Sequence, residues 1–224
     1  MKKNPMRNNI NYFRMSDSGR LIGGALLVLG LLSLWLRISW IATVIFVPVG
    51  LALFLYTSIV RAGDADIDSE IAKRMEELEF YPEEDPDLSR KVIKNQEPFL
   101  AEGYVLREGL MLRRDKTSRL RSSEYSRAIL HLLSDRLCIQ HRVVSLIEDR
   151  TVTHSYQIPY ASLQGVSILR SQETLTFNKK SFPTSVTLFQ LISSEGSITF
   201  PINDDVEADH LVERIEKLKE ANGK

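Results

Sequence analysis

A chain of 224 residues with 29 Lys+Arg against 29 Asp+Glu has no formal net charge, which argues against a nucleic-acid binder, normally a basic protein. Its 43% apolar residues exclude a wholly disordered chain. One cysteine, Cys138, excludes an intramolecular disulfide and a zinc site built on two thiolates. The even total conceals regions of very different charge.

Residues 1–20 form a basic tail, with Lys2, Lys3, Arg7, Arg14 and Arg20 against Asp17. Two uncharged apolar runs follow, 16 residues over Leu21–Leu36 and 20 residues over Ile41–Val60, separated only by Arg37, Ile38, Ser39 and Trp40. A bilayer core of ~30 Å needs ~20 helical residues, and a shorter run is tolerated where flanking arginines snorkel and the bilayer thins. The pattern predicts a two-helix transmembrane hairpin over 21–61. No small-x-small cleavage site follows Leu36, so a signal peptide does not fit. The basic tail against a tip holding only Arg37 places the amino terminus in the cytoplasm by the positive-inside rule. Two spans return the chain there, giving a multi-pass protein of a plasma or inner membrane with both termini cytoplasmic. Trp35 and Trp40 suit the far interface. Pro48 and Gly50 read as a mild kink. Neither span holds Asp, Glu, Lys or His, as an ion pathway would need.

Residues 62–97 are acidic, with twelve carboxylates against five bases for a net of −7. Ile67, Ile71, Met75 and Leu78 recur at helical spacing and predict an amphipathic helix over 66–80. Tyr81-Pro82 and Asp85-Pro86 break it, and a second short helix is expected over 87–95. Such a connector is either a solvated helix packed on its own domain or an acidic stand-off from an anionic leaflet.

Residues 98–224 change to period-two alternation. Strands are expected at 128–133, 136–143, 152–158, 165–169, 185–192 and 197–202, with weaker candidates at 103–114 and 174–177. Ser134-Asp135 and Ser194-Glu195-Gly196 mark tight turns. In the first hairpin Ala128, Leu130 and Leu132 share a face with Leu137, Ile139 and His141, whichever even register applies. A helix closes the chain. Asn203 or Asp204 caps it, Asp205 and Glu207 favour its start, and Ala208, Leu211, Ile215 and Leu218 form its buried stripe. The expected fold is therefore a transmembrane helical hairpin plus a mostly-β domain. The latter is a bent sheet or partly open barrel of about seven strands with a carboxy-terminal capping helix.

The stretches HLLSDRLCIQHRVV (131–144) and HSYQIPYASLQGVSIL (154–169) resemble bacterial pleckstrin-homology-like and GRAM-like domains. The shared features are a strand, a turn with Asp-Arg, an apolar strand, then the spacing of Ile158, Pro159, Tyr160, Leu163 and Val166. The late strand pair and final helix match as well, so the resemblance covers roughly residues 100–220. It implies a binding module rather than an enzyme.

No phosphate loop, G-x-S-x-G, H-E-x-x-H or paired-cysteine motif occurs. His131, His141, His154 and His210 show no i,i+4 pair. One hairpin register sets His131 across from Cys138 and another sets Gln140 there. With no orienting acid indicated, the first reads as a small buried thiol beside a satisfied histidine rather than a nucleophile. No catalytic residue, metal or cofactor is expected. The concentrated basic feature is Arg113, Arg114, Lys116, Arg119 and Arg121, with only Asp115 against them. Cations on a loop and its following strand can converge on one phosphate. A solvated hairpin loop has the same composition. The order Lys116-x-x-Arg119-x-Arg121 is similar to the basic first loop with which eukaryotic pleckstrin-homology domains hold phosphoinositides. The expected function is a membrane-anchored, non-enzymatic cytoplasmic module binding an anionic lipid headgroup or a protein partner. The alternative is a scaffold subunit of a larger membrane complex.

Overall fold

The computed structural model describes residues 5–15, 18–37, 40–76, 78, 87–93, 97–203 and 205–222. The chain forms two compact units, residues 1–68 and 69–224.

In the first unit, helix α1 (Pro5–Arg14) precedes two long apolar helices, α2 (Ser18–Trp35) and α3 (Trp40–Val60). At 1.5 Å per residue, their 18 and 21 residues span about 27 and 32 Å, long and apolar enough to cross a membrane. Their contact is built on glycine. A Cβ added at Gly23 would lie 2.8 Å from the backbone nitrogen of Phe54, and one at Gly50 would lie 2.8 Å from the Gly23 carbonyl oxygen. Gly50 thus permits close approach of two backbones, which the kink expected from Pro48 and Gly50 did not include. Near the tip, the Ser33 and Thr43 hydroxyls meet at 2.8 Å, and the Gly30 carbonyl lies within hydrogen-bond reach of both, at 2.9 and 3.1 Å. Small residues and hydroxyls at a helix contact are what apolar surroundings select, because bulk apolarity cannot drive two helices together there. Arg37, at φ 51°, ends α2 in the left-handed region; Ile38 and Ser39 of the expected tip lie outside the described residues.

Helix α1 lies in the tail read only as basic. It folds back on the end of α3, where Asn11 Nδ2 donates to the Val60 carbonyl at 2.7 Å and the Ala62 amide donates to the Asn8 carbonyl at 3.2 Å. The Val60 carbonyl, one of the acceptors that a helix end leaves open, is thereby satisfied. The Tyr12 hydroxyl donates to Asp64 at 2.7 Å.

Helix α4 (Asp64–Met75) is shorter than the 66–80 expected, and the unit boundary falls inside it. Its stripe is as read: Ile67, Ile71 and Met75 are buried, as is Leu78 beyond its end. Arg142 donates to the Arg74 carbonyl at 2.9 Å, which places a cation on the carbonyl end of the helix. The breaks at Tyr81-Pro82 and Asp85-Pro86 lie outside the described residues. Residues 94 and 95 of the helix expected at 87–95 lie outside the described residues, and over 87–93 there is one 3-10 turn, Ser89–Lys91. Val92 then turns extended and bridges to Leu133. Leu88 and Val92 pack on Leu133 and Cys138, so this part of the connector is stitched to the β unit.

The β unit holds nine strands among the described residues, in three antiparallel sheets and no closed barrel. The first sheet has order β1-β4-β5-β6, from β1 (Phe99–Tyr104), β4 (Glu124–Leu132), β5 (Arg136–Ser145) and β6 (Thr151–Pro159). A small sheet pairs β2 (Leu112–Arg114) with β3 (Leu120–Ser122). The third has order β7-β8-β9, from β7 (Leu163–Phe177), β8 (Lys180–Ser193) and β9 (Gly196–Pro201). The single strand expected at 103–114 is two strands, because Gly109 at φ 87° breaks the run. The segments expected at 165–169 and 174–177 are one strand. It turns at Asn178 and Lys179, both at positive φ, straight into β8, the backbone of a two-residue type I′ hairpin.

The β4–β5 register pairs Ala128 with His141, Leu130 with Ile139 and Leu132 with Leu137, which places the expected residues on one face. Phe189, Leu191 and Phe200 of the third sheet pack in the same core. Helix α5 (Asp205–Asn222) closes it with Ala208, Leu211 and Ile215 buried and Leu218 partly so. The expected cap Asp204 lies outside the described residues.

The Ser134-Asp135 turn is a hub. Its carboxylate receives Lys91 Nζ at 2.7 Å and Arg136 Nη2 at 3.0 Å. The Tyr160 amide donates to the Asp135 carbonyl, and Asn222 at the end of α5 donates to that of Ser134. Hydrogen bonding from Arg136 is the largest cause holding the Asp135 carboxyl down to about 2.

Candidate functional site

The five basic residues lie on and beside the β2–β3 hairpin, which pairs Arg113 with Arg121 and Arg114 with Leu120. Asp115 builds the turn. Its carbonyl accepts from the Ser118 amide at 3.1 Å and Ser118 sits at φ 67°. Its carboxylate accepts from the amides of Thr117 (2.8 Å) and Arg119 (3.0 Å), the Thr117 hydroxyl (2.7 Å) and Arg121 Nε (2.9 Å). Burial raises the Asp115 carboxyl, but these donors outweigh it and hold the group below the usual carboxylate range. The Asp115 side chain is only 3% exposed and that of Arg121 11%. The one acid among the five bases is thus the strut of the turn.

Arg121 is held by Asp115, by the Tyr104 hydroxyl at 3.0 Å and over the Tyr104 ring at 5.7 Å. Arg114 donates to the carbonyls of Ser118 at 2.8 Å and Pro183 at 2.6 Å. These two lock the hairpin. Lys116 and Arg119 stand exposed at its tip, and Arg113 is half-buried. The side chains therefore do not all aim at one point.

The hairpin is rigidly seated. Its underside, Leu112 and Leu120, packs on Leu175 with Phe177 and Phe182 against it. At its root the Ser123 amide donates to the Met111 carbonyl at 2.9 Å. The Glu124 carboxylate, 5% exposed, ion-pairs with both Arg107 and Arg150. Because the hairpin rests on the β7–β8 ribbon, the exposed Lys179 and Lys180 of the ribbon's turn join the same end of the unit. The sequence reading missed these two. They lie some sixty residues from the loop, and only the length of β7 and β8 brings them there.

The other titratable groups sort by register. His131 does face Cys138 across β4 and β5. Cys138 is sealed under Leu88, Leu133 and Val92, the setting of a structural rather than a reactive thiol. His141 faces His154 across β5 and β6, a juxtaposition that a search for helical spacing could not find. Burial, with His154 nearby, pushes His141 down to about 4. Among the described residues no group of three or more His, Cys, Asp or Glu could hold a metal ion. A shallow depression of about 330 Å³ lies between β1 and α5, lined by Glu97, Phe99, Glu207, His210 and Arg214 among others.

No family model, no curated protein and no solved structure matches the chain.

Proposed function

We propose that the protein is a membrane-anchored, non-enzymatic binding module. In this reading α2 and α3 sit in a plasma or inner membrane with both termini cytoplasmic. The β unit is pleckstrin-homology-like and offers its basic hairpin to an anionic lipid headgroup. The observation that carries the reading is a fixed basic hairpin with exposed cations at its tip. Arg114, Arg121 and Asp115 fix its shape, and Lys116 and Arg119 reach water from that fixed frame. A fixed backbone frame leaves only the side chains to be ordered on meeting a phosphate. The family likeness is supported by the four-stranded and three-stranded meanders closed by α5, with the basic hairpin inserted between the first two strands of the larger sheet.

The test uses the full chain in phosphatidylcholine nanodiscs, challenged with vesicles of phosphatidylglycerol or of phosphatidylcholine. Capture of the anionic vesicles alone, weakened by salt, is expected. Each surface cation contributes about 1 kcal/mol, so a diffuse patch loses about 30-fold when Lys116 and Arg119 both become Ala. A fixed site loses far more. Equal capture of both vesicles, or of neither, would favour the scaffold reading.

A further inference from the structure

We propose that His141 and His154 form a two-histidine site for a first-row transition-metal dication, Cu²⁺ or Zn²⁺, on the inner face of the first sheet. Strand register sets the two residues directly opposite each other, so both side chains leave the same face of the β5–β6 pair. Their ring centroids are 6.4 Å apart and the planes differ by 31°. A metal about 2.0 Å from each ligating nitrogen lies roughly 3.2 Å from each ring centre. Two rings at a tetrahedral angle then have centres roughly 5.2 Å apart, and at the right angle of a tetragonal Cu²⁺ site roughly 4.5 Å apart. The observed pair is about 1 to 2 Å too open for these. His154 is exposed on its edge strand, so a small side-chain rotation closes the gap.

His141 is the prepared partner. Its Nε2 lies 2.8 Å from the hydroxyl of Ser126, a residue only 1% exposed. The Phe200 ring meets it edge-on at 4.9 Å. These two contacts hold the ring's orientation. With Nε2–H donating to Ser126, the Nδ1 lone pair is left for a metal, the second-sphere arrangement usual for metal-binding histidines. With two protein ligands, water fills the remaining positions. The site is therefore of modest affinity, and Cu²⁺ binds it more tightly than Zn²⁺.

The experiment titrates untagged full-length protein in detergent with CuCl₂ and ZnCl₂ by calorimetry, and records the Cu²⁺ electron paramagnetic resonance spectrum. One Cu²⁺ per chain with a micromolar-range Kd and two-nitrogen coordination is expected, with Zn²⁺ weaker. His154→Ala, at an exposed position that leaves the core intact, should weaken Cu²⁺ at least tenfold. Ser126→Ala should weaken it by a smaller factor, and His210→Ala should leave it unchanged. Binding by His154→Ala as tight as by the unaltered chain, or no saturation of the latter at 1 mM Cu²⁺, would overturn the proposal.

Discussion

The two units obey opposite rules for where apolar residues go. In the β unit, Leu130, Leu137, Ile139 and Phe189 have no exposed surface. In α2 and α3 the buried residues are Gly23, Gly30 and Gly50, while Leu21 is 71% exposed and Trp40 73%. The first pattern suits water, and the second suits helices long and apolar enough to cross a membrane. Water rewards burying apolar area at about 25 cal/mol per Å², which orders the β core. A bilayer offers no such reward, and close backbone approach through glycine takes its place.

The sharpest way to break this comparison is one added side chain. Gly23→Leu should prevent closure of the α2–α3 hairpin, because even its Cβ would meet the Phe54 backbone at 2.8 Å. Gly24→Leu should be tolerated, since nothing lies within 4 Å of a Cβ there. A disulfide cross-link between cysteines placed at Ser33 and Thr43 reads the difference. It should form in Gly24→Leu and fail in Gly23→Leu.

The matching test in the β unit is large-to-small. Ile215→Ala should cost ~2–5 kcal/mol in denaturant unfolding, from lost transfer energy plus the cavity left behind. A change below about 0.5 kcal/mol would mean that α5 does not pack as described.

Acid should separate the units further. Asp135 has its carboxyl held down to about 2, well below the usual carboxylate range. A depressed acid adds stability above its unfolded value and loses it as pH falls through the folded one. The β unit should therefore weaken between about pH 4 and pH 2. Asp135→Asn should flatten that part of the profile, followed by thermal melting. The helical signal of α2 and α3, which contain no carboxylate, should persist. The smallest effect belongs to the exposed Leu169 of β7. Leu169→Ser should change β-unit stability by no more than about 0.5 kcal/mol, by the same unfolding measurement.

Much of this architecture was legible in the sequence because two periods dominate it. Period two placed Ala128, Leu130 and Leu132 against Leu137, Ile139 and His141, and helical spacing found Leu211 and Ile215. What stayed hidden depends on pairing over distance. The middle of β7, Arg170 to Thr174, is exposed throughout, so no alternation marks it as strand. Helix α1 is polar by composition and is held by bonds to α3 and Asp64, about fifty residues away. The basic cluster was visible as composition. The roles of Asp115 and Arg121 as struts required the turn's geometry.

The proposed anchor requires α2 and α3 to lie in lipid while the β unit lies in water, and the chain carries its own probe. Its two tryptophans, Trp35 and Trp40, flank the hairpin tip and are 79% and 73% exposed, so intrinsic emission reports on that unit alone. In reconstituted vesicles, lipids with brominated acyl chains should quench the emission strongly while aqueous iodide quenches it weakly. Efficient quenching by iodide with no response to brominated lipid would place the hairpin in water and contradict the account.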